Sequence, residues 1–149
     1  VTSLHPRHVL AGRLDLGFAH TDIPQERLRF GGSSGVRGVP DDAVQTTSQA
    51  VASVEYRLAA LRQASVPLGP VYLSEIDLVL GLDLGVGSDG QTPVGAVGAV
   101  FGAGVLVDNF GLSPGAAMLT FGLPVWTGGF ELPAGPPPLA VYLTWGQAF

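Results

Sequence analysis

A chain of 149 residues is long enough for one domain, but its composition is not that of an ordinary water-soluble one. Only 13% of the residues are charged, 22 are glycine and 12 are proline, and the mean hydropathy is +0.38, which suits a surface that meets lipid as well as water. The formal net charge of −5 argues against a nucleic-acid partner, and the lack of cysteine excludes disulfides and thiolate metal sites.

Apolar and polar residues alternate with period 2 in six segments, the pattern of strands with one apolar and one polar face. In residues 10–20, Leu10, Leu14, Leu16 and Phe18 share one parity, while Arg13, Asp15 and Gly17 share the other. A long loop follows over residues 21–45. It carries the stretch Phe30-Gly31-Gly32-Ser33-Ser34-Gly35-Val36-Arg37-Gly38 and a turn signal at Pro40-Asp41-Asp42. The glycines permit backbone paths that a side chain would block, and Arg37 offers a planar donor fork suited to carboxylates. In residues 46–58, Ala50, Ala52, Val54, Tyr56 and Leu58 oppose Gln49, Ser53, Glu55 and Arg57. Residues 59–70 read as a connector, with a helical turn expected over residues 59–63.

The clearest alternation runs from Tyr72 to Val86: Ile76, Leu78, Leu80, Leu82 and Leu84 against Glu75, Asp77, Gly81, Asp83 and Gly85. Residues 87–92 read as a short loop. Residues 94–107 form a glycine-rich strand whose expected outward set is Val97, Phe101, Val105 and Val107. Asp108-Asn109 marks a turn. Ala117, Leu119, Phe121, Leu123 and Val125 then alternate with Met118, Thr120 and Gly122, and residues 127–138, with Pro133 and Pro136-Pro137-Pro138, read as a stiff loop. The last strand, residues 139–149, places Leu139, Val141, Leu143, Trp145 and Phe149 on one parity.

The longest uncharged run, residues 109–130, contains Pro114, Pro124 and several glycines, which would break a spanning helix. Hydrocarbon tolerates only helices and closed barrels, so strands of this kind would have to span as a barrel. Each segment has about the 9–11 residues a tilted strand needs to cross a bilayer. Glu75, Asp77 and Asp83 cannot face lipid, where a charge costs about 2–4 kcal/mol near the midplane, so they are expected to face a lumen.

The central loop resembles the hallmark F-x-x-G-G-x-x-x-V-R-G-[FY] of the BamA-like superfamily of outer-membrane assembly and translocation barrels, the bacterial surface antigen family. Phe30, Gly31, Gly32, Val36, Arg37 and Gly38 carry the likeness. In this chain the aromatic stands directly before the glycine pair, and Val39 follows Arg37-Gly38. Val54-Glu55-Tyr56-Arg57, Leu82-Asp83-Leu84-Gly85 and a terminal strand ending in Trp145, Gly146 and Phe149 are also similar to that family's segments.

The resemblance implies an all-β fold. It makes residues 1–149 the C-terminal portion of an antiparallel transmembrane β-barrel, about six strands of a larger one, with further strands and periplasmic domains upstream. It implies that Arg37 enters the lumen and pairs with Asp83, with Glu55 or Asp77 as the alternative partners and Glu75 in the same row of lumen-facing carboxylates. No enzyme, cofactor or metal is implied. The expected setting is the bacterial outer membrane, with the central loop and residues 87–93 and 127–138 outside, and residues 59–70, residues 108–113 and the C-terminus in the periplasm. The expected function is insertion of β-barrel proteins through a lateral seam. Its partners would be unfolded or nascent outer-membrane clients, membrane lipid and periplasmic or lipoprotein subunits. A two-partner-type secretion pore on the same barrel is the alternative.

Three motifs point elsewhere and lack their context. Gly31-Gly32-Ser33-Ser34-Gly35 spells the G-x-S-x-G of serine hydrolases. That elbow needs a following helix and, in triad enzymes, a later histidine, whereas His5, His8 and His20 all precede Ser33. A Ser33–Asp89 dyad, similar to that of patatin-like lipases, would still lack the helix. Gly85-Val86-Gly87-Ser88-Asp89-Gly90 spells a dinucleotide fingerprint, but Gln91-Thr92-Pro93 continues it without a helix.

Overall fold

The computed structural model describes residues 2–5, 7–20, 23, 26–41, 43–68, 71–109, 115–132 and 139–147. These residues form an all-β protein. Its strands are β1 (Thr2–His5), β2 (His8–Phe18), β3 (Leu28–Arg29), β4 (Gln45–Thr46), β5 (Ser48–Leu68), β6 (Val71–Ser88), β7 (Pro93–Asn109), β8 (Gly115–Gly128) and β9 (Ala140–Gln147). Seven of them make one sheet in the order β1-β2-β5-β6-β7-β8-β9, with every neighbour antiparallel. β1 and β9 are its edges, and no closed barrel forms among the described residues. β3 and β4 form a separate two-stranded sheet that closes the neck of the long loop between β2 and β5.

The register sorts side chains by the parity of the sequence. Leu10, Tyr56, Leu80, Phe101, Phe121 and Val141 lie side by side across six strands. Phe101 and Phe121 stack within that row, with ring centroids 5.3 Å apart. None of the described residues packs over this face, so Leu14 and Leu16 are each 66% exposed, Phe18 83%, and Leu143 and Trp145 each 74%. No charged residue falls on this parity of β6 between Leu78 and Val86. Where His8 joins the same parity, its ring Nδ1 meets the Tyr56 hydroxyl. The opposite face carries the row Arg13, Ser53, Asp83, Gly98 and Pro124 and the row Ala11, Glu55, Gly81, Val100, Gly122 and Ala140. The long loop folds back onto this second face, and the protein's core lies there: Phe30, Val36, Val39, Val51 and Ala96.

The structure differs from the sequence reading in several places, among them residues 87–88 and 127–128, which are not loop but are paired in β6 and β8. Residues 59–68 are not a connector with a helical turn, because β5 continues to Leu68 across a bulge between Ala59 and Leu61. Its extension gives the start of β6 a backbone partner, and Arg62 stands opposite Glu75 there. Thr46 belongs to the loop neck rather than to the long strand, which begins at Ser48. Asp108 and Asn109 are still paired in β7, opposite Tyr72 and Val71. In β8 a bulge opposite Val97/Gly98 leaves Val125 unpaired and swings Trp126 onto the apolar parity. Beyond the six expected segments, β1 pairs with the first residues of β2. The proline-rich stretch 133–138 and Phe149 lie outside the described residues.

Candidate functional site: the arginine loop on the polar face

The loop is built by short-range bonds that glycine makes room for. The Phe30 N–H donates to the Val44 carbonyl (3.2 Å), and the Val36 N–H donates back to the Phe30 carbonyl (3.0 Å). The Gly32 N–H donates to the Val39 carbonyl at 2.8 Å, closing a compact tip over residues 32–39. Phe30, Val36 and Val39 are fully buried by this fold, and Phe130 meets the Phe30 ring edge-on at a centroid distance of 6.2 Å. Gly38 has φ of +98°, which a side chain rarely tolerates, and a Cβ there would strike the backbone of Leu123 and Pro124.

The sheet beneath the tip is correspondingly bare. A Cβ at Gly85 would come within 2.9 Å of the Phe30 ring, and one at Gly122 within 2.6 Å of the Gly38 nitrogen. Glycine at these strand positions is therefore explained by the close approach of a second backbone.

That approach seats Arg37. Its Nε donates to Asp83 Oδ2 at 2.7 Å and its Nη2 to Asp83 Oδ1 at 2.8 Å, a two-pronged contact, while its backbone N–H also donates to Oδ2 at 3.0 Å. Nη1 donates to Glu55 Oε1 at 2.6 Å. The other oxygen of Glu55 accepts from Arg57 Nη2 at 2.8 Å, so Glu55 is shared between two arginines. The Arg37 side chain is 9% exposed and that of Asp83 not at all. Burial acts to lower the pKa of the Arg37 guanidinium; hydrogen bonding and charge from Asp83, and then Glu55, outweigh it and hold the pKa above its ordinary value. The guanidinium is thus a fixed cation, held by the fork geometry that distinguishes arginine from lysine.

Asp83 and Glu55 are the carboxylates that the structure brings to Arg37. Asp77 and Glu75, on the same strand face, do not reach it: Glu75 accepts from Arg62 Nε at 3.0 Å, and Asp77 pairs in register with Ala59 and Gly104 toward the other end of β6. There they line a cavity of about 580 Å³ together with Arg7, Arg57 and Arg62. Trp145 is exposed on the apolar face of β9, and Gly146 is paired in the ladder with Ala116.

Sequence reasoning passed over two participants. Arg57 lies on the polar parity two residues from Glu55, and nothing in its spacing marks the pair the two form. Tyr142 accepts a hydrogen bond from the Gly38 N–H at 3.1 Å. Its signal was parity: in β9 it alternates with Val141 and Leu143, and so must face the loop.

The hydrolase motif is placed in a different setting. Ser33 is exposed within the tip and is followed by turns. Asp89 Oδ1 accepts the backbone N–H groups of Gln91 (2.9 Å) and Thr92 (2.7 Å), which holds its carboxylate in its own turn. No group of metal-ligating side chains occurs among the described residues. No family model, curated protein or solved structure matches this chain.

Proposed function

We propose that this chain is part of the transmembrane β-barrel of an outer-membrane assembly factor, which inserts β-barrel clients by letting a client strand pair with an exposed edge. The observation that carries the reading is the pairing of two unlike faces. One is continuous, apolar and uncovered across six strands; the other is polar and holds a loop by a buried arginine. An uncovered apolar face of that extent is a liability in water and an asset in hydrocarbon. In this reading the loop-covered face lines the lumen, where Arg37, Asp83 and Glu55 need not meet lipid.

β5, β6 and β7, with 21, 18 and 17 residues, exceed the 9–11 a tilted strand needs, so their ends project beyond the bilayer. β9 has 8 residues and, among the described residues, one paired side, which leaves it the geometry for strand addition by a client. Chemistry on substrate bonds is no part of this mechanism; the work is backbone pairing at an edge, with the loop holding the barrel wall behind it.

Site-specific crosslinking in the full-length protein, in cells assembling outer-membrane proteins, tests the proposal. Cysteines at Ala140 and Thr144 should trap a client strand, while cysteines at Leu14 and Leu82 should be shielded by lipid. If translocating chains are instead trapped at Val79 and Ala59 beside the 580 Å³ cavity, and none at β9, the secretion-pore reading replaces this one.

A further inference from the structure

Residues 34–38 make contact with six consecutive strands of the sheet. Arg13 of β2 donates from Nη2 to the Ser34 carbonyl at 3.4 Å. Arg37 donates to Glu55 of β5 and Asp83 of β6. Its carbonyl lies over Gly98 of β7, Gly38 lies over Gly122 of β8, and the Gly38 N–H reaches the Tyr142 hydroxyl of β9. The tip is therefore a strap laid across the polar face. Its grip is strongest in the middle, on a buried ion pair, and depends on single hydrogen bonds at both ends.

The β9 end matters most, because β9 is short and, among the described residues, is paired in the sheet only with β8. Of its side chains on the polar parity, Ala140 has no donor or acceptor, and Thr144 donates to the Met118 carbonyl of β8 at 3.4 Å. Tyr142 alone among these three bonds to the loop. The donor is fixed as well. At φ of +98° the Gly38 N–H is aimed by the backbone, and its neighbour Arg37 is immobilised by Asp83.

We infer that Tyr142 ties the edge strand to the arginine loop, so that the ease with which β9 separates from its neighbour is set by whether Arg37 is seated. The tie is a property of the folded chain; only its consequence, a seam whose readiness is governed by the loop, rests on the assembly reading above. Coupling of this kind is reciprocal: loosening the loop frees β9, and freeing β9 loosens the loop.

Hydrogen exchange of the full-length protein in lipid nanodiscs reads the tie directly. Tyr142→Phe keeps the ring and removes the acceptor, and should speed exchange of the β9 amides about five-fold while leaving the amides of β6 unchanged. Arg37→Lys should speed the same β9 amides. The double variant should exchange no faster than the faster single one, because both break one linkage. Exchange at β9 unchanged in Tyr142→Phe, or effects that multiply in the double variant, would overturn the tie, since a hydroxyl acting only within the strand gives independent effects. A tie confirmed by exchange with no client crosslinked at β9 would refute the assembly reading alone.

Discussion

Arg37–Asp83 and Arg62–Glu75 join the same two kinds of group on the same face of β6, and the structure makes them different objects. The first pair is covered by the loop, with side chains 9% and 0% exposed; the second is open, at 38% and 24%. Arg37 engages both carboxylate oxygens and a second acid besides, whereas Arg62 makes one bond to Glu75. Ion-pair chemistry alone therefore says little about its own importance. What covers the pair decides how much is lost when one partner is removed.

The largest effect should come from breaking the covered pair. Arg37→Ala leaves Asp83 buried and uncompensated, and should destabilise the folded chain by about 3–5 kcal/mol in unfolding measured in detergent micelles, with rapid proteolysis at the exposed Ser33-Ser34. A loss no greater than that of Arg62→Ala would erase the contrast between the two pairs.

The cover itself can be lifted without touching a charge. Gly122→Ala puts a Cβ within 2.6 Å of the Gly38 nitrogen and 2.8 Å of the Arg37 carbonyl carbon. The loop must shift, at a cost of about 1–3 kcal/mol. Gly104→Ala, on the same face at the open end, meets nothing closer than 3.8 Å and should be nearly neutral in the same unfolding assay. Equal losses at the two glycines would show that the loop does not rest on the sheet as described.

Arg62→Ala should cost under about 1 kcal/mol, and added salt should remove most of that difference, because the open pair is screened. The smallest effect belongs to the turn after β6. Backbone donation from Thr92 and then Gln91 holds the Asp89 carboxyl below its ordinary pKa. A carboxyl depressed in the folded state contributes order above its unfolded value and loses it as pH falls through the folded one. The Thr92 amide should therefore be protected at neutral pH and lose protection only below the usual aspartate range. Protection that persists there, followed by amide exchange, would count against the turn.

The apolar face was legible residue by residue, because period-2 alternation is a local consequence of strand geometry and needs no knowledge of the partner strand. Leu78, Leu80, Leu82 and Leu84 fall on one side wherever β6 is paired. Bulges are not local in that sense: Trp126 reaches the apolar face only because Val125 has no opposite number in β7. Residues 59–68 misled for a related reason. Ala59, Ala60 and Leu61 suit a helical turn by propensity, yet the unpaired backbone of β6 draws them into the ladder, since tertiary pairing overrides a preference of a few tenths of a kcal/mol per residue, roughly.

What the sequence by itself determined was therefore composition, parity and the presence of a cation in a loop too rich in glycine to be a strand. Those follow from each residue's own chemistry and its immediate neighbours. The family resemblance put Asp83 first; the tertiary structure alone decided that Glu55 joins it at the cation and that Asp77 and Glu75 do not. Glu55, Asp77 and Asp83 share a parity with one another across β5 and β6, and nothing in their spacing ranks them. The loop settles where the floor is bare, over Gly85, Gly98 and Gly122, and that position puts Arg37 on Asp83 and Glu55 and the Gly38 N–H on Tyr142. A contact spanning 104 residues of sequence, as from Gly38 to Tyr142, exists only once five strands between them have taken their register.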